Sequence, residues 1–169
     1  MYDFVLNVSA VIAANCPIEA KAYGWVSAGN LVGFVKLNNV PVWKSALRLT
    51  ARNLRGVNIL LVEPFNCSLL ESRNFDTGGS TAAAMQLSTY LRQVSQGDLI
   101  VGVTAEEPTR SLSSALPALR QLGVDVSDVH RQGSFVFVAQ KGLPSKTKLR
   151  KSGSSTSLTR LSVTIPGIN

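Results

Sequence analysis

Residues 57–62, Val-Asn-Ile-Leu-Leu-Val, are apolar apart from Asn58 and lie between the turn residues Gly56 and Pro64. A run this short and this apolar reads as a strand inside a packed sheet. Residues 99–103 repeat the pattern after Gly97-Asp98, and residues 134–139 add a strict alternation of Phe135, Phe137 and Ala139 against Val136 and Val138. Such strands need cover. With 169 residues, 45% of them hydrophobic and 16% charged, the chain can supply it within one compact domain, without help from metals or disulfides. That composition excludes wholesale disorder. The longest uncharged apolar stretch, residues 4–18, is interrupted by Asn7, Ser9 and Asn15 and falls short of the roughly 20 residues that cross a bilayer, so no transmembrane segment is expected.

The cover is legible in the same region. Ala83, Leu87, Leu91 and Val94 recur in steps of four, four and three, which places them on one face of an amphipathic helix. Asp76-Thr77-Gly78-Gly79-Ser80 leads into it, with Ser80 or Thr81 as its cap. Leu112, Ala115, Leu116, Leu119 and Leu122 suggest a second helix ended by Gly123, which Pro117 forces to start near Ser114 or to kink. Residues 69–75 pair with 57–62 as a hairpin, and residues 124–129 are expected to be a further strand. Ahead of this region, residues 4–13, 21–27 and 31–37 carry strand-forming residues between the turn signals Asn15-Cys16-Pro17, Gly29-Asn30 and Asn38-Asn39. Asn38-Asn39 suits a two-residue hairpin, because asparagine tolerates the positive φ such loops require. Trp25 and Trp43 are expected in the core or on a sheet face. The residues alone thus predict a mixed sheet covered by two helices, behind an antiparallel N-terminal layer.

Charge and chemistry restrict the function. Residues 1–140 hold 11 Lys/Arg against 10 Asp/Glu, whereas residues 141–169 hold six Lys/Arg and no acid, so the formal charge of +7 is concentrated in the tail. Residues 143–157, basic and rich in Ser, Gly and Pro, read as a solvated connector that can also attract acidic glycans; no nucleic-acid partner is expected. Cys16 and Cys67 stand 51 residues apart, with one histidine, His130, in the whole chain. No metal site and no cofactor is expected from this inventory. The cysteines are either one disulfide or two buried thiols. Asn7 and Asn66 head Asn-x-Ser sequons and are candidate glycosylation sites. Residues 1–16 lack the basic n-region of a signal peptide, so a targeting signal is expected elsewhere.

No catalytic constellation stands out. The Gly78-Gly79 turn has neither the lysine of a P-loop nor the spacing of a dinucleotide fingerprint. No serine sits in a nucleophile elbow. A carboxylate pair could be assembled from Asp76, Asp98, Glu106 or Glu107, but Glu106-Glu107 is expected at a helix N-terminus, where negative charge is favoured. The chain is read as a non-enzyme.

Several segments in this order resemble a known family. Arg55-Gly56-Val57-Asn58-Ile59 is followed by Glu71-Ser72-Arg73-Asn74-Phe75-Asp76-Thr77, a helix, and Gly97-Asp98-Leu99-Ile100-Val101. Leu119-Arg120-Gln121-Leu122-Gly123, Arg131, and Phe135-Val136-Phe137-Val138-Ala139-Gln140-Lys141-Gly142 complete the series. The combination resembles the ILEI/PANDER-like domain, also called the GG domain, over residues 23–142. The resemblance divides the chain into a β extension over 1–22, the domain itself over 23–142, and the basic segment over 143–169.

The resemblance implies an α+β fold of two antiparallel sheets flanked by helices. It also implies an extracellular or lumenal module, of the kind found in secreted cytokine-like proteins, in hyaluronan-processing cell-surface proteins and in the stem of the O-mannose N-acetylglucosaminyltransferase. In that stem the fold binds glycan without catalysis. By the same resemblance Asp76 and Arg131 become the candidate carbohydrate-binding residues. The alternative roles are a cap on the following helix for Asp76 and an internal ion pair for Arg131. The partner would be a glycan or glycoprotein; the alternative is a cytokine-like ligand for a protein receptor. Three departures stand out. Ala105-Glu106 and Arg131-Gln132-Gly133 replace patterns common in relatives, and the two cysteines do not reproduce the two-disulfide framework of the cytokine-like members.

Overall fold

The computed structural model describes residues 15–24, 32–46, 54–153 and 158–167. Among these, one sheet contains β1 (Cys16–Tyr23), β2 (Val32–Leu37), β3 (Val40–Ala46) and β9 (Leu158–Ile165), in the order β3-β2-β1-β9. The other contains β4 (Gly56–Glu63), β5 (Ser68–Phe75), β6 (Leu99–Ala105), β7 (Ser134–Gln140) and β8 (Lys148–Ser152), in the order β5-β4-β6-β7-β8. Every described strand pair is antiparallel. Helices α1 (Thr81–Gln93) and α2 (Leu116–Gln121) complete an α+β fold in which sheet is the larger part. The mixed sheet expected from the residues alone is therefore corrected, and the two antiparallel sheets implied by the resemblance are present.

The period of two in the central strands builds two cores. Val57 and Ile59 of β4, Ile100 of β6, and Phe135, Phe137 and Ala139 of β7 pack under α1 and α2 with Leu87, Leu91 and Leu119. Their neighbours Leu60, Val62, Val101, Val103, Val136 and Val138 point the other way, onto Ile18, Ala20, Val35 and Leu37 of the four-stranded sheet. The molecule is layered sheet, sheet, helices. Trp43 is buried in the inter-sheet core, whereas Trp25 lies outside the described residues, as does the strand expected over 4–13.

Local signals account for most element ends. Asn38 and Asn39 have φ of 50° and 63°, the left-handed pair a two-residue hairpin requires. The Ser80 side chain accepts a hydrogen bond from the Ala83 N–H and caps α1. The apolar repeat around Pro117 resolves into a 3₁₀ turn over Ser113–Ala115 and then α2, with the proline in the first turn, where its missing N–H costs nothing.

Three expectations fail for identifiable reasons. Cys16 and Pro17 lie within β1 rather than in a turn, since a proline near a strand's start forgoes few ladder bonds. Residues 124–129 form no strand. Val124, Val126 and Val129 are buried under the helices, but Asp125 Oδ1 accepts from both the N–H and the Oγ of Ser127 and curls the chain into a turn. Within the expected connector over 143–157, Lys148–Ser152 is strand β8, paired to β7 through Phe137↔Leu149 and Val138↔Lys148. Leu149 gives this basic stretch an apolar contact with the helix-side core.

Cys16 at the start of β1 and Cys67 in the β4–β5 turn are joined by a disulfide, with Cα atoms 5.2 Å apart. It ties one sheet to the other across the inter-sheet core. A closed loop of this length stabilises the fold by about 4 kcal/mol in the chain-entropy account. Reduction is expected to add about 2 Da to the intact mass, and Cys16→Ser with Cys67→Ser to lower the unfolding free energy by roughly 2–4 kcal/mol in a denaturant titration. An unchanged mass after reduction of the unfolded chain would exclude the bond.

Candidate functional site

The arginine-glycine pair ahead of β4 and the Phe-Asp-Thr motif at the end of β5 meet because β4 and β5 are hairpin partners, with Val57 opposite Phe75. Gly56 has φ of 98°, and a Cβ there would run into the Phe75 carbonyl and lie 2.6 Å from the Thr77 nitrogen. Only glycine lets the two chain ends approach so closely. The approach places Arg55 Nε and Nη2 each 2.7 Å from a different oxygen of Asp76, a bidentate fork. Asp76 Oδ1 also accepts from the Gly79 N–H at 2.9 Å. The fork is partly open to solvent, with side-chain exposures of 31% for Arg55 and 40% for Asp76.

Each residue of the Phe-Asp-Thr motif has a separate task. Phe75 is buried against Tyr90 of α1, with ring centroids 5.4 Å apart. Asp76 holds Arg55. Thr77, fully buried, donates from Oγ1 to the Pro108 carbonyl at 2.6 Å and accepts from the Ser111 N–H at 2.9 Å, which fastens the loop after β6 to this corner. Asn58 and Asn74 brace the same corner from the sheet: Asn74 Nδ2 donates to Asn58 Oδ1 and to the Arg55 carbonyl, both at 3.0 Å.

The loop after β6 carries Glu106 and Glu107, whose φ values of 45° and 37° put two consecutive non-glycine residues in the left-handed region. Such strain costs on the order of 1 kcal/mol per residue and concentrates where side-chain placement matters. The pair does not sit at a helix N-terminus, as the residue pattern suggests; it follows β6 directly, and residues 108–112 separate it from the next 3₁₀ turn. Glu107 lies 3.8 Å from Arg110 and 3.7 Å from Arg131. The Thr109 hydroxyl donates to the His130 carbonyl at 3.0 Å and so brings the neighbouring Arg131 to the corner.

Asp76 and Arg131 thus belong to one polar corner, each through an ion-pair partner. Asp76 is held by Arg55, and Arg131, 58% exposed, faces Glu107. Arg55 was legible in the Arg-Gly motif, and its separation from Asp76 across the β4–β5 hairpin was the available signal. Among the described residues, no three His, Cys, Asp or Glu side chains converge as metal ligands. Asn66 is exposed in the β4–β5 turn beside the disulfide, its Oδ1 accepting from the Ser68 N–H; Asn7 lies outside the described residues.

The electrostatics of the corner follow from this packing. The Arg55 guanidinium holds the Asp76 carboxyl below the usual aspartate range, and Asp76 raises Arg55 in turn. Glu106 moves the other way: burial pushes its carboxyl up, and the negative charges of Asp76 and Glu107 add to the effect against the pull of Arg55. Tyr23 at the end of β1 is also raised, chiefly by burial, with Glu106 contributing.

The family model described as interleukin-like EMT inducer matches residues 55–143, from the arginine of the fork to just beyond β7. The matched span is just over half of the chain and contains every residue of the polar corner except Tyr23. The chain belongs to the ILEI family. No curated protein matches it as a relative. ILEI membership describes an extracellular, cytokine-like or interaction module, and among the described residues no helix is long and apolar enough to cross a membrane.

Two outcomes test the corner. Asp76→Ala removes the two charge-assisted hydrogen bonds of the partly exposed fork, which is expected to cost about 1 kcal/mol at neutral pH. Because the folded carboxyl is depressed, that difference should be present above the ordinary aspartate range and fade as pH falls through the folded value. Glu106→Gln has the opposite sign. A carboxyl raised by folding opposes stability when ionised, so the amide should raise the melting temperature at pH 7, with the gain disappearing on acidification below the unfolded value. Paired thermal melts across pH 3–8 read both.

Proposed function

We propose that this ILEI domain is a non-enzymatic extracellular recognition module that binds carbohydrate at the polar corner around Asp76, Arg55, Glu106 and Arg131. The observation that carries the reading is the partly open Arg55–Asp76 fork. Its donors and acceptors are held in a fixed plane, and Oδ2 of Asp76 keeps acceptor capacity beyond the 2.7 Å bond from Arg55. Sugar hydroxyls both donate and accept, and they are recognised by such pre-oriented planar groups at little ordering cost. Glu106 and Arg131 extend the same surface with one further acceptor and one further donor group.

The chemistry favours binding over catalysis. A general acid or base must exchange its proton near working pH, whereas Asp76 is depressed and committed to Arg55 and Gly79. Glu106 is raised, and the ionised carboxylate that acts on it, Asp76, has both oxygens engaged by Arg55. Neither cofactor nor metal is invoked. The ligand would be a glycan or the glycan of a glycoprotein. Lys148 and Arg150, exposed on β8, offer a second, purely electrostatic attraction for acidic glycans.

The alternative is a cytokine-like ligand that binds a protein receptor through an apolar patch. Exposed large apolar side chains among the described residues, such as Val40, Phe65, Leu70 and Met85, sit on different elements, which favours the carbohydrate reading.

A glycan array with the purified chain, Asp76→Ala, Arg131→Ala and the double variant Lys148→Ala/Arg150→Ala tests the proposal. Selective binding is expected to fall about tenfold or more in Asp76→Ala and to survive the β8 variant. Binding that follows β8 and fades with salt would reduce the interaction to electrostatic capture of acidic glycans. An array with no selective signal would overturn the carbohydrate reading for those sugars and favour a protein receptor.

A further inference from the structure

At the end of the five-stranded sheet away from the polar corner, the two sheets enclose a cavity of about 550 Å³. Its apolar wall is made chiefly by Val163 and Ile165 on β9, with the nearly fully buried Leu99 at the start of β6 and Val138 on β7 behind them at its floor. Val163 and Ile165 pack on the inter-sheet core yet stay partly exposed, so their remaining apolar surface faces the opening. The rim is different in kind. Lys146, in the 3₁₀ turn Pro144–Lys146, and Lys148, the first residue of β8, line the cavity, and no Asp or Glu lines it. Neither ammonium has a salt bridge to an acid among the described residues. The Cys16–Cys67 disulfide lies at this end, since Cys16 pairs with Ile165 and Cys67 follows Pro64 of the cavity wall.

Size, wall and rim together define a ligand. The volume is within the range of small-molecule sites, which combine an apolar lining with a few polar groups that set orientation. Two cations with no acidic partner among the described residues, set over an apolar wall, select an anion with a hydrocarbon body and disfavour a neutral or cationic head group by the lost attraction. The disulfide keeps the wall in place before the ligand arrives, which reduces the cost of binding.

We propose that this inter-sheet cavity is a binding site for a fatty-acid-like carboxylate, whose chain lies against Leu99, Val138, Val163 and Ile165 and whose head group is held by Lys146 and Lys148. The site is separate from the polar corner of the carbohydrate reading, and neither proposal depends on the other; Lys148 is shared only with the electrostatic attraction of β8 for acidic glycans.

The full chain is titrated with dodecanoate below its micelle concentration, and with dodecanol and dodecyltrimethylammonium, while NMR follows the methyl groups of Val163 and Ile165. Dodecanoate is expected to shift these methyls and to bind about tenfold or more tightly than the alcohol or the cation. Lys146→Glu with Lys148→Glu, both on exposed positions, should erase that preference while core methyl resonances stay in place. Val163→Phe, which fills the cavity, should weaken all three ligands, and Asp76→Ala should leave dodecanoate binding unchanged. Equal affinity for the three head groups, dodecanoate shifts that bypass Val163 and Ile165, or a preference that survives the lysine reversal would each overturn the proposal, as would no binding at all.

Discussion

Strands β4, β6 and β7 bury both of their faces, and the rest of the molecule is arranged to make that possible. Water is excluded on one side by α1 and α2 and on the other by the four-stranded sheet. Removing either layer would expose a continuous apolar surface, so the layers are mutually dependent rather than separately stable units. The double burial also explains which small and polar residues are admitted. Gly102 on β6 stands opposite Phe137, and a Cβ there would collide with the phenyl ring. Thr104 is fully buried but spans β6 to β7 by donating to the Phe135 carbonyl and accepting from the Phe135 N–H, both at 3.1 Å. Ser134 and Thr159 pair their hydroxyls at 2.6 Å, joining β7 to β9. Each buried polar side chain described thus has a partner, as a two-sided core requires.

Polar chemistry is displaced to the strand ends, where the backbone leaves the double cover. At the end carrying Arg55, the exits from β5, β6 and the approach to β7 are tied in sequence, Thr77 to Pro108 and Thr109 to His130. Two threonine hydroxyls therefore set the spacing of side chains that lie up to 76 positions apart in the chain. Within that frame the charges oppose one another. Arg55 stabilises the ionised form of both Asp76 and Glu106, but its hydrogen bonds go to Asp76, and Glu106 is left with burial and two like charges against it.

How much of this was legible depended on whether a residue's partner was local. Helix α1, its Ser80 cap, the Asn38-Asn39 hairpin and the alternation of β7 rest on neighbours within a few positions, and the residues announced them. Residues 124–129 misled because Val124, Val126 and Val129 have strand-like composition, while the deciding contact, the Asp125 side chain on Ser127, is a local turn device that alternation outweighed in the reading. Strand β8 was hidden for the opposite reason: one apolar residue, Leu149, anchors a basic stretch, and the ladder it joins comes from β7. At the site, Asp76 and Arg131 were reached only through the family resemblance. Their actual partners, Arg55 and Glu107, lie 21 and 24 positions away and become neighbours only through β4–β5 pairing and the Thr109–His130 tie. Spacing across the expected hairpin points to Arg55 and Asp76, but it carries no such information for Glu107 and Arg131.

The two ends of the five-stranded sheet are electrically distinct, and the sheet itself keeps them so. Strand β6 runs from Leu99 at the cavity to Ala105 beside Glu106, seven residues that span about 20 Å at the usual rise. That is roughly twice the screening length at physiological ionic strength. The cations Lys146 and Lys148 therefore exert little field on the Arg55–Asp76 fork, and titration at the fork does not reach the cavity. Coupling between the ends would have to be mechanical, through strands buried on both faces. Close packing of Phe135, Phe137 and Val138 with their neighbours resists a slide of one end against the other. The fold thus presents a polar surface at one end and an apolar, cationic cavity at the other as independent features of a single rigid sheet.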